Sequence, residues 1–158
     1  DPRVIGMRTF SKAYGMAGAR VGYAIGAAEL IKSFDKIRNH FGMNRSAQRG
    51  AEAAMRDQAY LAEVVTRTAT ARERIAGIAR ENGLRPLPSA TNFVTVDCGA
   101  DGDFARAVLQ SLVTQGVFVR MPGVAPLDRC IRISAGRPEE LDVLAKAMPK
   151  ALADARAR

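Results

Sequence analysis

Between Arg8 and Gly26 the chain reads RTFSKAYGMAGARVGYAIG, and the residue types in that stretch pose a chemical question. Lys12 follows Ser11 directly, with Thr9 three residues before it and Arg20 eight residues after it. An amine attacks a carbonyl and forms a Schiff base only when it is positioned and partly freed of water. A phosphate group needs hydroxyls, backbone N–H groups and a permanent cation. Arginine meets the last need, because its planar guanidinium stays charged and can grip two oxygens at once. Thr9, Ser11, Lys12 and Arg20 bring these parts together, and Gly15, Gly18 and Gly22 let the backbone between them turn tightly and approach a ligand. Such surroundings suit a lysine held beside a phosphate-bearing aldehyde. An ordinary loop lysine at Lys12 and a surface ion pair at Arg20 are the plainer alternatives.

The flanking segments must hold these groups in place. RVIGMRTF reads as a strand ending near Ser11, and ARVGYAIG as a buried strand returning after the loop. AAELIKSFDKIRNHF places Leu30, Ile31, Phe34 and Ile37 on one helical face, and Gly42 breaks the pattern. RSAQRGAEAAMRD reads as a second, alanine-rich helix. From Gln58 to Asn82 a long helix carries the stripe Leu61, Val64, Val65, Ile75 and Ile78, with Gly83 placed to cap it and two lobes on either side. Beyond it NFVTVDC is a strand, and Asp101 or Asp103 can cap the helix FARAVLQSLVTQ. GVFVR and CIRISAG are short strands, and PEELDVLAKAMPKALADA is a final helix with Pro138 in its first turn. This β-α-β-β-α order predicts a small α/β lobe.

Composition narrows the function classes. The chain has 158 residues, 24 Lys and Arg against 16 Asp and Glu, and a formal charge of +8. The arginines are scattered with no block of like charge, which points to a solvated basic surface rather than a nucleic-acid footprint. No helix-turn-helix, RNP-type or zinc signature is present. His40 is the only histidine, which argues against a histidine triad or a multi-histidine metal site. Cys98 and Cys130 lie far apart in sequence and read as reduced core residues. No apolar run approaches the roughly 20 residues that span a bilayer, and nothing at the start reads as a signal peptide. A first residue other than methionine, followed at once by a strand, suggests a piece of a longer chain.

TFSKAYGMAGARVGY resembles the Schiff-base lysine segment of fold-type I aminotransferases (class I/II) that use pyridoxal 5'-phosphate. Within them it is nearest the histidinol-phosphate aminotransferase branch, whose pattern S-K, then A-G, then R-x-G-[FY] it keeps. ATNFVTV resembles the family's T-N-[FY] strand, GVFVR the first arm of its strand pair, and CIRISAG its L-R-[IV]-[ST]-x-G segment. The resemblance implies an α/β fold, the C-terminal part of such a transferase. Residues 1–57 would end the large cofactor-binding domain, 58–82 form the linking helix and 83–158 the small α/β domain. It also implies that Lys12 carries the cofactor and later moves a proton at the substrate's α-carbon. Ser11, Arg20 and Thr9 would hold the cofactor phosphate. Arg132 would clamp the substrate's anionic group, with Arg120 helping where that group is a phosphate and Asn92 near the cleft.

Amino-group transfer between an amino acid or a histidinol-phosphate-like amine and a 2-oxo acid is therefore expected, in a cytoplasmic homodimeric parent, with no metal, nucleic acid or membrane partner. A threonine-phosphate decarboxylase-like reaction is the alternative within the same chemistry, and an inert structural fragment is the alternative outside it. The family's partners for the pyridine nitrogen, ring hydroxyl and ring face precede the lysine by more residues than this chain has there. Activity is accordingly expected of a longer parent. Three alternatives stay open: a structural carboxylate for Arg132 or Arg120, a purely main-chain role for Asn92, and for Asn44 and Arg45 either a reach toward a partner's site or a plain helix connection. Tyr14 and Tyr23 read as packing residues.

Overall fold

Strands β1 (Gly6–Thr9) and β2 (Gly22–Ile25) pair antiparallel in a computed structural model that describes residues 1–158. Their register runs from Gly6↔Ile25 to Thr9↔Gly22. A Cβ on Gly22 would stand 2.6 Å from the Arg8 carbonyl oxygen, so only glycine permits this closeness of the two backbones. Contrary to the expectation of a buried strand, β1 is exposed throughout and β2 is exposed at both ends. The hairpin is a two-stranded sheet by itself, so burial starts only beyond its last pair, at Phe10 and Val21. Those two side chains pack with Ala47 and Ala51 of helix α2 (Arg45–Arg56). Asn44 caps α2, its Oδ1 accepting the Ala47 N–H at 2.7 Å. That gives Asn44 a local structural role.

The helix expected from Ala27 onward is shorter than its pattern. Helix α1 (Ala28–Ser33) gives way to a single 3-10 turn at Phe34–Lys36. The Ser33 hydroxyl bonds back to the Glu29 carbonyl at 3.1 Å, and Ile37 is 84% exposed. With the far end of the apolar stripe exposed at Ile37, little burial is left there to hold a marginal helix together.

Asp1–Val65 and Thr66–Arg158 form two compact units. Helix α3 (Gln58–Glu81) buries Ile75 and Ile78 in the second unit, whereas Val65 of the expected stripe is exposed. At its end Gly83 takes φ +73, and the Leu84 N–H returns to the Ala79 carbonyl at 2.9 Å. This is the left-handed termination that glycine tolerates best. The sheet follows in the antiparallel order β3 (Arg85–Pro86), β4 (Phe93–Asp97), β5 (Cys130–Ser134). Helices α4 (Gly102–Thr114) and α5 (Pro138–Arg156) complete the unit. Asp101 is the residue that caps α4, accepting the Phe104 N–H at 2.9 Å. Val94, Val96, Ile131 and Ile133 bury one sheet face in a core with Ile75, Leu112, Leu144 and Met148.

Two details depart from the sequence pattern. GVFVR forms no strand: its only ladder contact is the bridge Arg120↔Arg132. Gly116 and Gly123, both at positive φ, bracket it and bend the chain away on either side. The short β3, with a proline as one of its two residues, has too little pattern to be read beforehand.

Asp97 is buried between two arginines, with Arg85 Nη2 at 2.8 Å and Arg129 Nε at 2.9 Å. Burial alone would push its carboxyl up, but the Gly99 N–H and the two guanidinium groups together hold it below the ordinary 3.8. Its stabilising contribution is thus complete above that unfolded-state value and disappears as pH falls through the lower folded one. Asp97→Asn should cost about 1–3 kcal/mol at neutral pH. In chemical denaturation below about pH 4 the gap between variant and wild type should narrow.

Cys98 and Cys130 are both buried and free. Burial, reinforced by the neighbouring Cys130, pushes the Cys98 thiol up to about 12, and burial also raises Cys130. Neither should react with a disulfide reagent at about pH 8 in the folded chain, since the thiolate is the nucleophile. Both should titrate after denaturation, and rapid native labelling would contradict the burial.

Candidate functional site

The loop that carries the lysine is closed at its base by backbone pairing. Beyond the pair Thr9↔Gly22, the Phe10 N–H bonds to the Val21 carbonyl at 3.2 Å. The Met16 N–H returns to the Phe10 carbonyl at 2.9 Å, and the Gly15 N–H reaches the Lys12 carbonyl at 2.9 Å. Gly15 takes φ +67, a conformation few other residues adopt without strain. Phe10 is 2% exposed and stacks within 4.8 Å of Tyr14 and 5.8 Å of Tyr23. The aromatic residues two before and two after Lys12 therefore pin the backbone on either side of it. Sequence reasoning assigned Tyr14 and Tyr23 to packing but did not single out Phe10. Phe10 stands one residue beyond β1, where burial begins, and only the structure shows that position.

Against that fixed backbone the Lys12 side chain is exposed and makes no hydrogen bond or ion pair. No acidic residue occurs between Asp1 and Glu29, while Arg3, Arg8, Lys12 and Arg20 all do. A local field of one sign favours an anionic ligand. Arg20 stands at φ 52, ψ 52, the one non-glycine residue in the left-handed region, just after the 3-10 turn Ala17–Ala19. That backbone costs about 1–2 kcal/mol for an L-residue and marks a position worth functional scrutiny. Its Nη1 donates to the Ala17 carbonyl at 2.6 Å, which anchors the guanidinium and leaves most of its five N–H groups for an anion. Ser11 and Thr9 are hydrogen-bonded to each other at 2.9 Å between hydroxyl oxygens. Thr9, Ser11, Lys12 and Arg20 thus all belong to one hairpin end in the first unit.

Asn92, Arg120 and Arg132 lie in the second unit. Arg120 and Arg132 exchange both backbone hydrogen bonds, at 3.0 and 2.6 Å. Direct opposition places their side chains on one sheet face, where two like charges are unfavourable without an anion between them. Arg132 lies 4.8 Å over the Phe93 ring and forms no salt bridge, so the structural carboxylate that could have explained it is not there. Cation–π contact orients a half-buried guanidinium without neutralising it. Phe93 is a contributor that sequence reasoning missed. The main chain of Asn92 accepts the Ala135 N–H at 2.9 Å, while its side chain is exposed. Around it Ser89 and Thr91 hydroxyls both bond to the Phe93 carbonyl, and Arg72 Nη1 holds the Thr91 carbonyl at 2.9 Å. No group of three or more His, Cys, Asp or Glu side chains could hold a metal ion, and no helix is long and apolar enough to cross a membrane.

Residues 1–148 match the family described as aminotransferase class I and II. Histidinol-phosphate aminotransferase from Sinorhizobium meliloti, solved in complex with pyridoxal-5'-phosphate, superposes with a TM-score of 0.91 at 56% identity over 96% of this chain and 42% of that one. Histidinol-phosphate aminotransferase 2 of Ralstonia nicotianae is 40% identical over 99% of this chain and 42% of its own length. Aromatic amino acid aminotransferase of Corynebacterium jeikeium is 38% identical over 96% of this chain and 40% of its own. The chain therefore spans about two-fifths of the length of these relatives. With the family matched over residues 1–148 and these similarities along nearly its whole length, the chain belongs to the class I and II aminotransferases of fold type I, in the histidinol-phosphate aminotransferase-like branch.

Proposed function

We propose that this chain is the lysine-bearing part of a pyridoxal phosphate-dependent aminotransferase that moves an amino group between an amino acid or a histidinol-phosphate-like amine and a 2-oxo acid. The observation that carries this reading is Lys12, an exposed amine without a counterion on a backbone fixed from both sides. The donor set around it fits a phosphate monoester: a hydroxyl at Ser11, a left-handed arginine with free N–H groups at Arg20, and no acid nearby in sequence. When bound, pyridoxal phosphate supplies an aldehyde for the lysine amine and a ring that withdraws electrons from the substrate's α-carbon.

Each residue then has a physical task. Arg20 neutralises phosphate oxygens through charge-assisted bonds, and the Ser11 hydroxyl adds a directed donor. The Lys12 Nζ, once neutral, takes the proton from the substrate's α-carbon and returns it elsewhere, as a base held in place by its loop. Arg132 and Arg120 take the substrate's anionic group, with the Phe93 ring keeping Arg132 in orientation. Asn92 presents its amide at the entrance of β4. We also propose a homodimeric, cytoplasmic protein, with residues 1–57 ending the cofactor domain, 58–82 linking, and 83–158 forming the substrate-side domain.

Titration of the chain with pyridoxal phosphate, followed by borohydride reduction and peptide mapping, tests the lysine. A single label at Lys12, lost in Lys12→Ala, is the expected result; equal labelling of the variant would remove Lys12 from its role. Amino-group transfer is read in the longest polypeptide that carries this sequence, with histidinol phosphate, phenylalanine and threonine phosphate as donors. Release of carbon dioxide from threonine phosphate without a 2-oxo product would replace transfer by decarboxylation.

Arg20 should separate stability from binding. Arg20→Gly relieves the left-handed backbone, so thermal unfolding should shift upward by the equivalent of about 1 kcal/mol. Cofactor affinity should fall at least about tenfold, the loss of a charge-assisted contact. Unchanged affinity would show that the arginine's role is structural.

A further inference from the structure

Strand β4 begins at Phe93, where the neighbouring β3 has already ended at Pro86. The last backbone bond from that side runs from the Leu87 N–H to the Thr95 carbonyl at 2.8 Å. Side chains take the place of a strand partner at Phe93. Its N–H donates to Thr91 Oγ1 at 3.3 Å, and the Ser89 and Thr91 hydroxyls donate to its carbonyl at 2.5 and 3.2 Å. Thr91 is itself held. Its N–H donates to Ser89 Oγ at 3.2 Å, and Arg72 Nη1 of α3 donates to its carbonyl at 2.9 Å. Strand ends fray unless their backbone is paired, so these bonds decide where the Phe93 ring stands.

What depends on that ring is Arg132. Phe93 lies opposite Ser134 and Thr95 opposite Arg132, so ring and guanidinium meet diagonally across the ladder, 4.8 Å apart. No hydrogen bond or ion pair within the chain reaches the guanidinium. Its backbone pairing with Arg120 sets no direction for so long a side chain, whereas the face of the ring does. We propose that Thr91 is a positioning residue for anion binding: it fixes the Phe93 main chain at the start of β4, and the Phe93 ring then holds the Arg132 guanidinium where an anionic group meets it. The proposal rests on the reading of Arg132 above and extends it to a residue with no bond to the arginine. On the β5 side the Ala135 N–H already holds the Asn92 carbonyl at 2.9 Å. The ladder therefore survives the loss of the Thr91 hydroxyl, and the ring is what moves.

Proton resonances of the Arg132 side chain in the 158-residue chain report both steps. A ring beneath them shifts the Arg132 Hδ and Hε signals upfield, and Phe93→Leu gives their position without a ring. Thr91→Val should move these signals toward that position, and Thr91→Ser, which keeps the hydroxyl, should hold them at the wild-type one. Methyl signals of Leu112 and Leu144 in the core should stay in place in both variants, which separates a displaced ring from a loosened unit. Inorganic phosphate, titrated while the Arg132 Hε signal is followed, tests the consequence for binding. Thr91→Val should weaken it about three- to tenfold, with recovery in Thr91→Ser. In a Phe93→Leu background the same substitution should change affinity less than about twofold. Equal losses in both backgrounds, or Arg132 signals that Thr91→Val leaves unmoved, would overturn positioning through the ring while Arg132 keeps its own assignment. A wild-type Arg132 signal that phosphate does not move would overturn that assignment instead, and with it the anion this proposal needs.

Discussion

The bond from the Phe10 N–H to the Val21 carbonyl closes the loop Ser11–Arg20 at its base, and the arrangement around Lys12 depends on that closure. Ser11 and Arg20 are nine positions apart in sequence and adjacent to the two ends of one hydrogen bond. Closure is possible because Gly22 lets the backbones approach to a distance that any Cβ would block. It is maintained because Phe10 buries its ring among Tyr14, Tyr23 and the small residues of α2. In the proposed reading the backbones that carry the Ser11 hydroxyl and the Arg20 guanidinium are joined before any ligand arrives, which lowers the ordering cost of binding.

The same economy appears in the second unit by a different route. There the ladder brings Arg120 and Arg132 face to face without a counterion. Stability alone would favour an acid or an apolar residue at one of the two positions. Asp97, at the far end of the same pair of strands, shows how this chain treats a charge meant to be satisfied internally: it places one buried carboxylate between two arginines. The contrast between a satisfied pair of arginines and an unsatisfied one on a single small sheet is what supports the proposed ligand role of the latter.

Much of this was legible in the residues, and the gaps have physical causes. The helices at Arg45–Arg56, Gln58–Glu81, Gly102–Thr114 and Pro138–Arg156 follow their periodicity because each buries its stripe or carries its cap. The pattern failed where burial failed. Phe34 and Ile37 sit at helical spacing, yet Ile37 is exposed and the helix stops before them. GVFVR has strand composition, but glycines at positive φ on both sides leave only one bridging pair. Lys12 and Arg20 stand out by type and spacing. The left-handed backbone of Arg20 does not, since arginine carries no propensity that announces it. Phe93 under Arg132 was hidden for another reason: a pair lying diagonally across a ladder needs the register before it can be seen.

The net charge of +8 takes on a specific meaning in this light. Arg74, Arg85, Arg129 and Arg137 have carboxylate partners within the chain. Lys12, Arg120 and Arg132 have none, and they are the cations that the lysine loop and the arginine bridge hold out in fixed backbone settings. A cofactor phosphate and an anionic substrate would remove most of that local excess, whereas a polyanion surface would require the cations to align along one track. Positive charge concentrated at two small, rigid places, each with shaped donors, is suited to small dianions. Screening by salt weakens exposed long-range attraction far more than it weakens short, directed contacts, so the proposed roles rest on the donors' geometry rather than on the total charge.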